Sequence, residues 1–281
     1  MNYFKKDITF AFIKFKVFNC MKKNLILLSI LTLCVGITAC EKLAEKESAE
    51  KNVKSAVLYN SEAQNVADDG CFQLLSAIRD DETQGDVPQS SDAGDVIISG
   101  PSFPKTITVN FDGTPDILGI VRTGSITGVL TDHFYNPNAQ LTLDYSNYVV
   151  NGVQFTGIRH ITNKNTTISI NSITFDVVVS NAAVATNNGI GTWSGNHIWE
   201  WTPLVTKSTG SSSGVSAAGI AFSSETITPL VQKTGCPLVS SGIIKITSGV
   251  HTATINFGDG TCDDKAIFNF NGHSTEITFF Y

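Results

Sequence analysis

The sequence offers few residues from which a catalytic centre could be built. Its 281 residues include five histidines, and their dispersed positions lack the short spacings that metal ligands share. No phosphate-binding loop or His-Glu-x-x-His motif is present. We therefore expect no enzyme and no cofactor. A hydrolase whose residues converge only in the fold is the third functional alternative.

A leader sequence accounts for the N-terminal residues. Residues 25–39 form an uncharged apolar run that follows the basic start Met21-Lys22-Lys23 and ends in small residues, as in a cleaved signal peptide. The run is shorter than the roughly 20 residues that span a bilayer. Ile37-Thr38-Ala39-Cys40 resembles the bacterial lipobox, which implies that Cys40 is diacylated and becomes the first residue of the mature chain. An uncleaved helix is the alternative.

The mature chain is acidic and has no basic cluster. Removal of residues 1–39 takes away six lysines and one aspartate, which leaves 13 basic and 24 acidic residues and a formal charge of −11. Such a chain is poorly suited to phosphate backbones, so nucleic acid is excluded as a partner. The membrane is instead reached through the lipid, because two acyl chains are enough for stable anchoring.

Only three of the six cysteines remain once the leader is removed and Cys40 is acylated. An odd number in an exported protein allows at most one internal bridge, and an oxidising compartment lets that bridge persist. Cys236 precedes the first strand of a predicted hairpin and Cys262 follows the second strand. The two ends of a hairpin meet, so we predict a Cys236–Cys262 disulfide and a free Cys71.

Changes in composition divide the chain into six segments. Alternating charge predicts a solvated tether, and apolar residues at helical spacing predict one broken helix or two short helices, interrupted at Asp68-Asp69-Gly70. Acidic residues with Gly and Pro predict a loop. The predicted segments are an upstream extension (1–20), a lipoprotein signal peptide (21–39), a charged tether (40–52), a helical segment (53–80), an acidic loop (81–104) and an antiparallel β domain (105–281).

The β domain is predicted from short alternating runs of Thr, Ile and Val with turn signals about every 8 to 12 residues. Hairpins are expected at Asn151-Gly152, Ser248-Gly249 and Asn271-Gly272, each with its apolar residues on one face. A one-sided sheet must be covered by a second sheet or by the helical segment. The predicted fold class is mainly β: an antiparallel sheet or β-sandwich-like domain with one or two short N-terminal helices.

Two resemblances to known families concern the β domain. The residues 106–111 (Thr-Ile-Thr-Val-Asn-Phe), 148–153 and 258–263, together with the tryptophan segment 193–201, are similar to those of uncharacterised Bacteroidetes lipoproteins. This resemblance implies an envelope location and a β-rich body. Phe257-Gly258-Asp259-Gly260-Thr261 resembles the turn motif of polycystic-kidney-disease domains, which are small β-sandwiches that continue for several strands beyond the motif.

The tryptophan segment is the strongest candidate for ligand contact. If residues 192–202 form a strand, then Trp193, His197, Trp199 and Trp201 share one face. On the functional interpretation this face is an aromatic platform for the apolar faces of sugar rings. On the structural interpretation it belongs to the hydrophobic core, because each aromatic side chain buries ~150 to 250 Å².

Three acidic residues near the C-terminus are weak candidates for a cation site. Asp259, Asp263 and Asp264 could supply carboxylate oxygens, but their spacing does not match that of an EF-hand loop. An Asp-Gly turn requires no metal, because Gly adopts positive φ and Asp caps the turn. The sequence therefore predicts no metal site.

These observations predict an outer-membrane or surface lipoprotein, anchored by lipid on the periplasmic or extracellular face, with a non-catalytic binding or structural role. The alternative is a glycan-binding accessory lipoprotein that uses Trp193, Trp199 and Trp201. The expected partners are the membrane, through the lipid anchor, and either a glycan or another envelope protein.

Overall fold

The computed structural model describes residues 44–79, 94–100, 102–236 and 238–279. The chain divides into two compact units, Met1–Glu50 and Lys51–Tyr281. In the first unit the described residues, 44–50, are helical, and in the second unit residues 51–79 are helical and every described strand follows them. The predictions of an upstream extension, a signal peptide and acylation at Cys40 lie outside the described residues.

The protein is mainly β, as the sequence predicts, and its strands form one antiparallel sheet of 13 strands in sequence order. The strands are β1 (Asp95–Ile98), β2 (Lys105–Pro115), β3 (Val121–Leu130), β4 (Gln140–Val150), β5 (Val153–Asn163), β6 (Ile173–Thr186), β7 (Gly189–Trp201), β8 (Val205–Val215), β9 (Ala221–Lys233), β10 (Ser241–Ser248), β11 (His251–Asp259), β12 (Lys265–Phe270) and β13 (His273–Thr278).

The three predicted hairpins are confirmed. Val150 pairs with Val153 across the Asn151-Gly152 turn, where both residues have positive φ, 46° and 88°. This geometry is that of a type I′ turn, which matches the right-handed twist of the strands. The other two hairpins have the registers Ile246–Ala253 and Phe268–Thr275. Period-two alternation therefore fixed the register in each case.

The described residues contain one helix, α1 (residues 44–79), and its residues 51–79 cover the apolar face of the sheet, so the helical alternative for covering that face is correct. Residues 51–79 of α1 bury a stripe of small side chains, which includes Ala56, Ala63 and Ala67. The buried strand residues facing it include Val109, Leu143, Phe155 and Val177. The core of the second unit therefore lies between one helix and one face of one sheet.

The sheet curves around α1. Asp69 bonds Arg122 on β3, whereas Phe72, three residues further along the helix, stacks on Trp199 of β7. In a flat sheet β3 and β7 would lie about 19 Å apart at strand spacing, almost twice the roughly 10 Å diameter of a helix. Because neighbouring helical residues reach both strands, the sheet must bend towards the helix.

Three predicted boundaries are wrong. The predicted tether is helical over residues 44–52, and the predicted loop contains β1. The helix is also continuous at Asp68-Asp69-Gly70, where the sequence predicted a break. A Cβ at Gly70 would lie 2.7 Å from both Ile126 Cδ1 and Tyr145 Cε1, so glycine is present here for close packing against the sheet and does not end the helix.

Candidate functional site

A cavity of about 350 Å³ lies between the C-terminal part of α1 and the sheet. Its walls come from elements far apart in sequence. They are helix residues between Asp69 and Arg79, the β2–β3 connection, the β3–β4 connection, and strands β6 to β9 with their connections. A volume of this size lies within the usual range of small-molecule sites. The cavity is therefore the leading candidate for a ligand site among the described residues.

Aromatic rings form a continuous row along one side of the cavity. Phe134 stacks on Phe175 with ring centroids 4.8 Å apart, and Phe72 stacks on Trp199 at 5.5 Å. Phe175 and Trp199 are direct cross-strand partners on β6 and β7, which joins the two stacks. Trp201, half-buried, extends the row along β7. A ligand in the cavity therefore meets the half-buried rings of Phe72, Phe134 and Trp201, whereas Phe175 and Trp199 support these rings from the core.

An ion-pair network closes one part of the wall. Arg122 donates from Nε and Nη2 to the two oxygens of Asp69 at 2.8 and 2.7 Å, and from Nη1 to Asp116 at 2.6 Å. Tyr148 donates its hydroxyl to Asp69 as well. Burial would raise the pKa of Asp116, but hydrogen bonds from Arg122 and from two backbone amides outweigh burial and lower it. The charged groups of this wall are thus bonded to one another.

A second buried ion pair lies beside the first. Arg159, 1% exposed, donates from Nη2 to Asp68 at 2.6 Å and lies with its guanidinium carbon 4.5 Å from the centroid of Trp199. Its Nε and Nη1 atoms have no hydrogen-bond partner within the part of the chain that the structure describes. Burial opposes the charge of Arg159, yet Asp68 raises its pKa overall. Consecutive aspartates on α1 therefore bind arginines from two different strands.

The sequence did not single out these two aspartates or the two arginines. The available signal was that consecutive acids sit in the middle of an apolar helical stripe, where a solvated acid is out of place. Their partners lie 53 and 91 residues away along the chain. A single sequence gives no means of pairing groups at such separations, so the network becomes visible only in the folded structure.

The predicted tryptophan face exists, but most of it is buried in the core. Trp193 is 1% exposed and donates its indole N–H to Asn60 at 3.0 Å. Trp199 is 3% exposed, and His197 is 5% exposed and stacks on Trp193. Trp199 and Trp201 line the cavity. The face therefore divides into a core part, Trp193 and His197, and a cavity part, Trp199 and Trp201.

His197 has an unusual environment. Neither ring nitrogen has a hydrogen-bond partner among the described residues. Burial, and secondarily the charge of Arg159, lowers the pKa of His197 to about 4. The imidazole is consequently neutral over the physiological pH range.

The Cys236–Cys262 disulfide is present, as predicted, with the two Cα atoms 5.8 Å apart. It joins the β9–β10 connection to the β11–β12 connection, and Cys236 forms part of the cavity wall. Cys71 is a free, buried thiol, and burial raises its pKa to about 12. The bridge therefore fixes one side of the cavity, whereas the Cys71 thiol is too basic to act as a nucleophile.

Two of the three acidic residues near the C-terminus cap turns of the backbone. Asp259 accepts hydrogen bonds from the amide and hydroxyl of Thr261, and Asp263 accepts one from the amide of Lys265. Together with Asp264, they belong to no group of three or more His, Cys, Asp or Glu side chains arranged to hold a metal, within the part of the chain that the structure describes. This arrangement agrees with the turn-capping interpretation of the Asp-Gly sequence.

Within the described part of the chain, no helix combines the length and the apolar composition that a membrane crossing requires.

Comparison with known proteins adds no identification, because no protein-family model, no curated protein and no solved structure matches the chain.

Proposed function

We propose that this protein is a lipid-anchored envelope protein with a non-catalytic role, and that it binds a small apolar or amphipathic ligand in the cavity beside α1. The observation that carries the proposal is the aromatic row, from Phe134 to Phe72, that lines a cavity of about 350 Å³. Burial of apolar ligand surface against such a wall contributes roughly 25 cal/mol per Å².

The polar groups of the cavity support an apolar ligand. Arg122 and its two aspartates bond to one another, and Lys233 donates to the carbonyl of Gly260 at 2.5 Å. These groups are already bonded within the protein, and Gln232 and Thr234 donate to the carbonyls of Cys236 and Pro203. A ligand therefore gains contact mainly with rings and aliphatic side chains, and a polar end of an amphipathic ligand can reach Gln73, Ser76 or Thr206 of the lining.

The same balance disfavours a sugar held wholly inside the cavity. A sugar ring carries several hydroxyls, and each hydroxyl buried without a partner costs about 1 to 3 kcal/mol. Several such losses exceed the ~0.5 to 1.5 kcal/mol that one aromatic pairing adds beyond its buried area. Of the three tryptophans in the predicted glycan-binding face, Trp193 and Trp199 are buried. Only the half-buried Trp201 could therefore contact a sugar at this site.

The ionisable groups of the cavity support binding over catalysis. A general base needs a carboxylate or imidazole within hydrogen-bond reach of its substrate. Asp69 and Asp116 are bonded to Arg122, and His197 is buried behind Trp193. The lipid anchor is proposed from the lipobox at Cys40, and a mass measurement of the mature protein from a host that acylates such precursors tests it.

Ligand binding can be measured through the tryptophans, because two of the three line the cavity. The chain from residue 41 onward contains every described residue and is titrated with dodecanol and with laurate. We expect a shift in tryptophan emission that saturates, together with heat in calorimetry. No shift and no heat with either compound would overturn the proposal.

A matched pair of variants locates the site. Ser76→Phe places a ring in the cavity wall and should weaken binding at least about tenfold through lost volume. Lys51→Phe adds the same ring at an exposed position of the same helix, outside the cavity, and should leave binding unchanged. Equal effects of the two variants would place the ligand elsewhere.

A further inference from the structure

A groove of about 700 Å³ crosses the outer face of the sheet, the face turned away from α1, over strands β6 to β10. Small polar side chains line it together with Val178 and Val179, and its described lining contains no aromatic residue. Bulges adjoin it on two strands, between Val179 and Ala182 on β6 and between Glu225 and Leu230 on β9. Bulges bend strands, which explains a depression on an outer face.

Hydroxyl side chains form a continuous row across this groove, following the curve of the sheet. Ser194 pairs with Ser213, Ser213 with Ser223, and Ser223 with Thr247, each across one strand boundary. The row continues to Thr252 on β11, whose hydroxyl lies 3.4 Å from that of Thr247. Neighbouring strands are about 4.8 Å apart, so the five hydroxyls extend over about 19 Å perpendicular to the strands.

A second row runs parallel to the first. Asn196 pairs with Ser211, Ser211 with Glu225, and Glu225 with Lys245. The two charged residues of the groove form a salt bridge with each other. The groove therefore presents many hydrogen-bonding groups and no net charge.

The serines at these positions depart from the residue preference of β-strands. Thr is enriched in strands, because its β-branched side chain fits the pleated surface, and Ser lacks that branch. Outer positions of β2 and β3 carry threonines, Thr108 and Thr127, as this preference predicts. Within the groove the corresponding residues of β8 and β9 are serines, so the depth of the groove depends on a locally unfavourable choice. Such departures from local preference are expected at functional sites.

We propose that this groove binds an extended segment of a neutral polysaccharide, lying across β7 to β10. Charge neutrality disfavours nucleic acids and other charged polymers, and the lack of aromatic and large apolar walls disfavours lipids. The backbone groups of these strands are used in the sheet, so a peptide strand would find no backbone partners. A chain of sugar rings presents hydroxyls at a repeat close to the strand spacing. Successive sugars can therefore form hydrogen bonds with successive hydroxyl side chains of one row.

The expected affinity depends on chain length. A single hydrogen bond exposed to water changes a binding constant by only about two- to tenfold. Binding therefore requires several such bonds together. The dissociation constant should fall with each added sugar until the oligomer spans the row, and should then stay constant.

The test uses neutral cello-oligosaccharides and malto-oligosaccharides from dimer to hexamer, with the chain from residue 41 onward in calorimetry. The groove variant is Ser213→Val with Ser223→Val, which fills the row while raising strand propensity, so the fold is retained. The control variant is Thr108→Val with Thr127→Val, a cross-strand hydroxyl pair 3.1 Å apart on the outer face outside the groove.

We expect the groove variant to lose at least about tenfold in affinity for the hexamer and the control to stay within about twofold. Failure of both oligosaccharide series to bind overturns the proposal, as does an equal loss in the two variants or an affinity independent of length. Binding that Trp201→Ala abolishes and the groove variant retains would assign sugar recognition to the cavity and overturn the groove. Loss of the groove proposal alone leaves the proposed cavity ligand standing, because that ligand is measured separately with dodecanol and laurate.

Discussion

The helix meets the sheet in two different ways along its length. From residue 53 to residue 70 small side chains recur among its buried positions, including Ala56, Ala63, Ala67 and Gly70, and the strands approach it closely. From residue 72 to residue 79 most of the buried and half-buried positions are larger, and the cavity lies beside them. Small residues allow close approach and complete filling, whereas large rings hold the strands away and leave space.

Polar anchors accompany the close-packed part. Asn60, 1% exposed, accepts hydrogen bonds from the indole of Trp193 and from the hydroxyl of Ser212 at 2.6 Å. Tyr59 donates to the carbonyl of Val184 at 3.2 Å. One turn of helix thus holds three strands, β6, β7 and β8. We infer that the close-packed part fixes the position of the helix and the remaining part provides the binding site.

The largest effect is expected at the junction of the two parts. Asp69→Ala removes two of the three hydrogen bonds of Arg122, which is 4% exposed, and an acceptor of the Tyr148 hydroxyl. Arg122 keeps only its bond to Asp116, and removal of one partner of a buried ion pair costs about 3 to 5 kcal/mol, so the free energy of unfolding should fall by that amount. Urea unfolding at pH 7 measures the change.

A second variant separates the charge from the packing. Asp69→Leu with Arg122→Met replaces both charges of the pair by apolar groups. It leaves Asp116, whose side chain is 12% exposed, without Arg122, so it should recover part of the lost stability. If the double variant is as unstable as Asp69→Ala, then the network contributes through geometry that apolar side chains do not reproduce, and the interpretation as a buried charge that has lost its main partner is wrong.

His197, in the close-packed part, should make the free energy of unfolding depend on pH. Its pKa in the folded protein is about 4, below the roughly 6.5 of an unfolded chain. Between these values the unfolded state binds a proton that the folded state does not, so stability falls as the pH is lowered from about 6.5 to 4. The loss should reach ~3 kcal/mol by pH 4.

Carboxylates titrate in part of the same range, so the measurement is a difference between two proteins. His197→Leu removes the imidazole and should flatten the stability profile between pH 4 and 6.5 relative to the natural chain. Parallel profiles would show that the imidazole is protonated or solvated in the folded protein.

Sequence reasoning predicted the features that depend on local periodicity. The Asn151-Gly152 hairpin followed from alternation and from the positive φ that this turn requires. The disulfide followed from the meeting of hairpin ends. The shared face of the tryptophans also followed from period two, but whether that face pointed to solvent did not. Exposure is decided by the helix that covers the sheet, and alternation alone does not identify its covered face.

The features that depend on distant pairing were not predictable. Gly70 and the two acids before it suggest a break in the helix when they are considered alone. In the fold, Arg159 and Arg122 neutralise the acids and the strand side chains fill the space above the glycine. The cavity is hidden from sequence for the same reason, because its wall combines one helix with several separate strands and connections.

Asn60→Ala should have a smaller effect, confined to the close-packed part. It leaves a buried indole N–H and a buried hydroxyl short of an acceptor, although Ser212 keeps Ser224 as a partner at 2.7 Å. We expect a loss of about 2 kcal/mol and no change in dodecanol affinity. Asn65→Ala, a half-buried position one turn further along the same helix, serves as the control and should cost under about 0.5 kcal/mol.

The smallest change in stability is expected at Trp201, in the cavity part. Its ring lies on the cavity side of β7 and is only half-buried, so part of it is in contact with solvent. Trp201→Ala should therefore lower the free energy of unfolding by less than about 1 kcal/mol. Trp193→Ala, at a fully buried position on the same strand face, should cost about 3 to 5 kcal/mol.

Thermal unfolding of the two variants, followed by dodecanol titration, tests the division directly. Trp201→Ala should remain folded and lose ligand affinity, because the residue contributes a wall of the site and little of the core. If instead both variants unfold alike, the tryptophan face acts as one core, and the separation of a packed part from a binding part does not extend to β7.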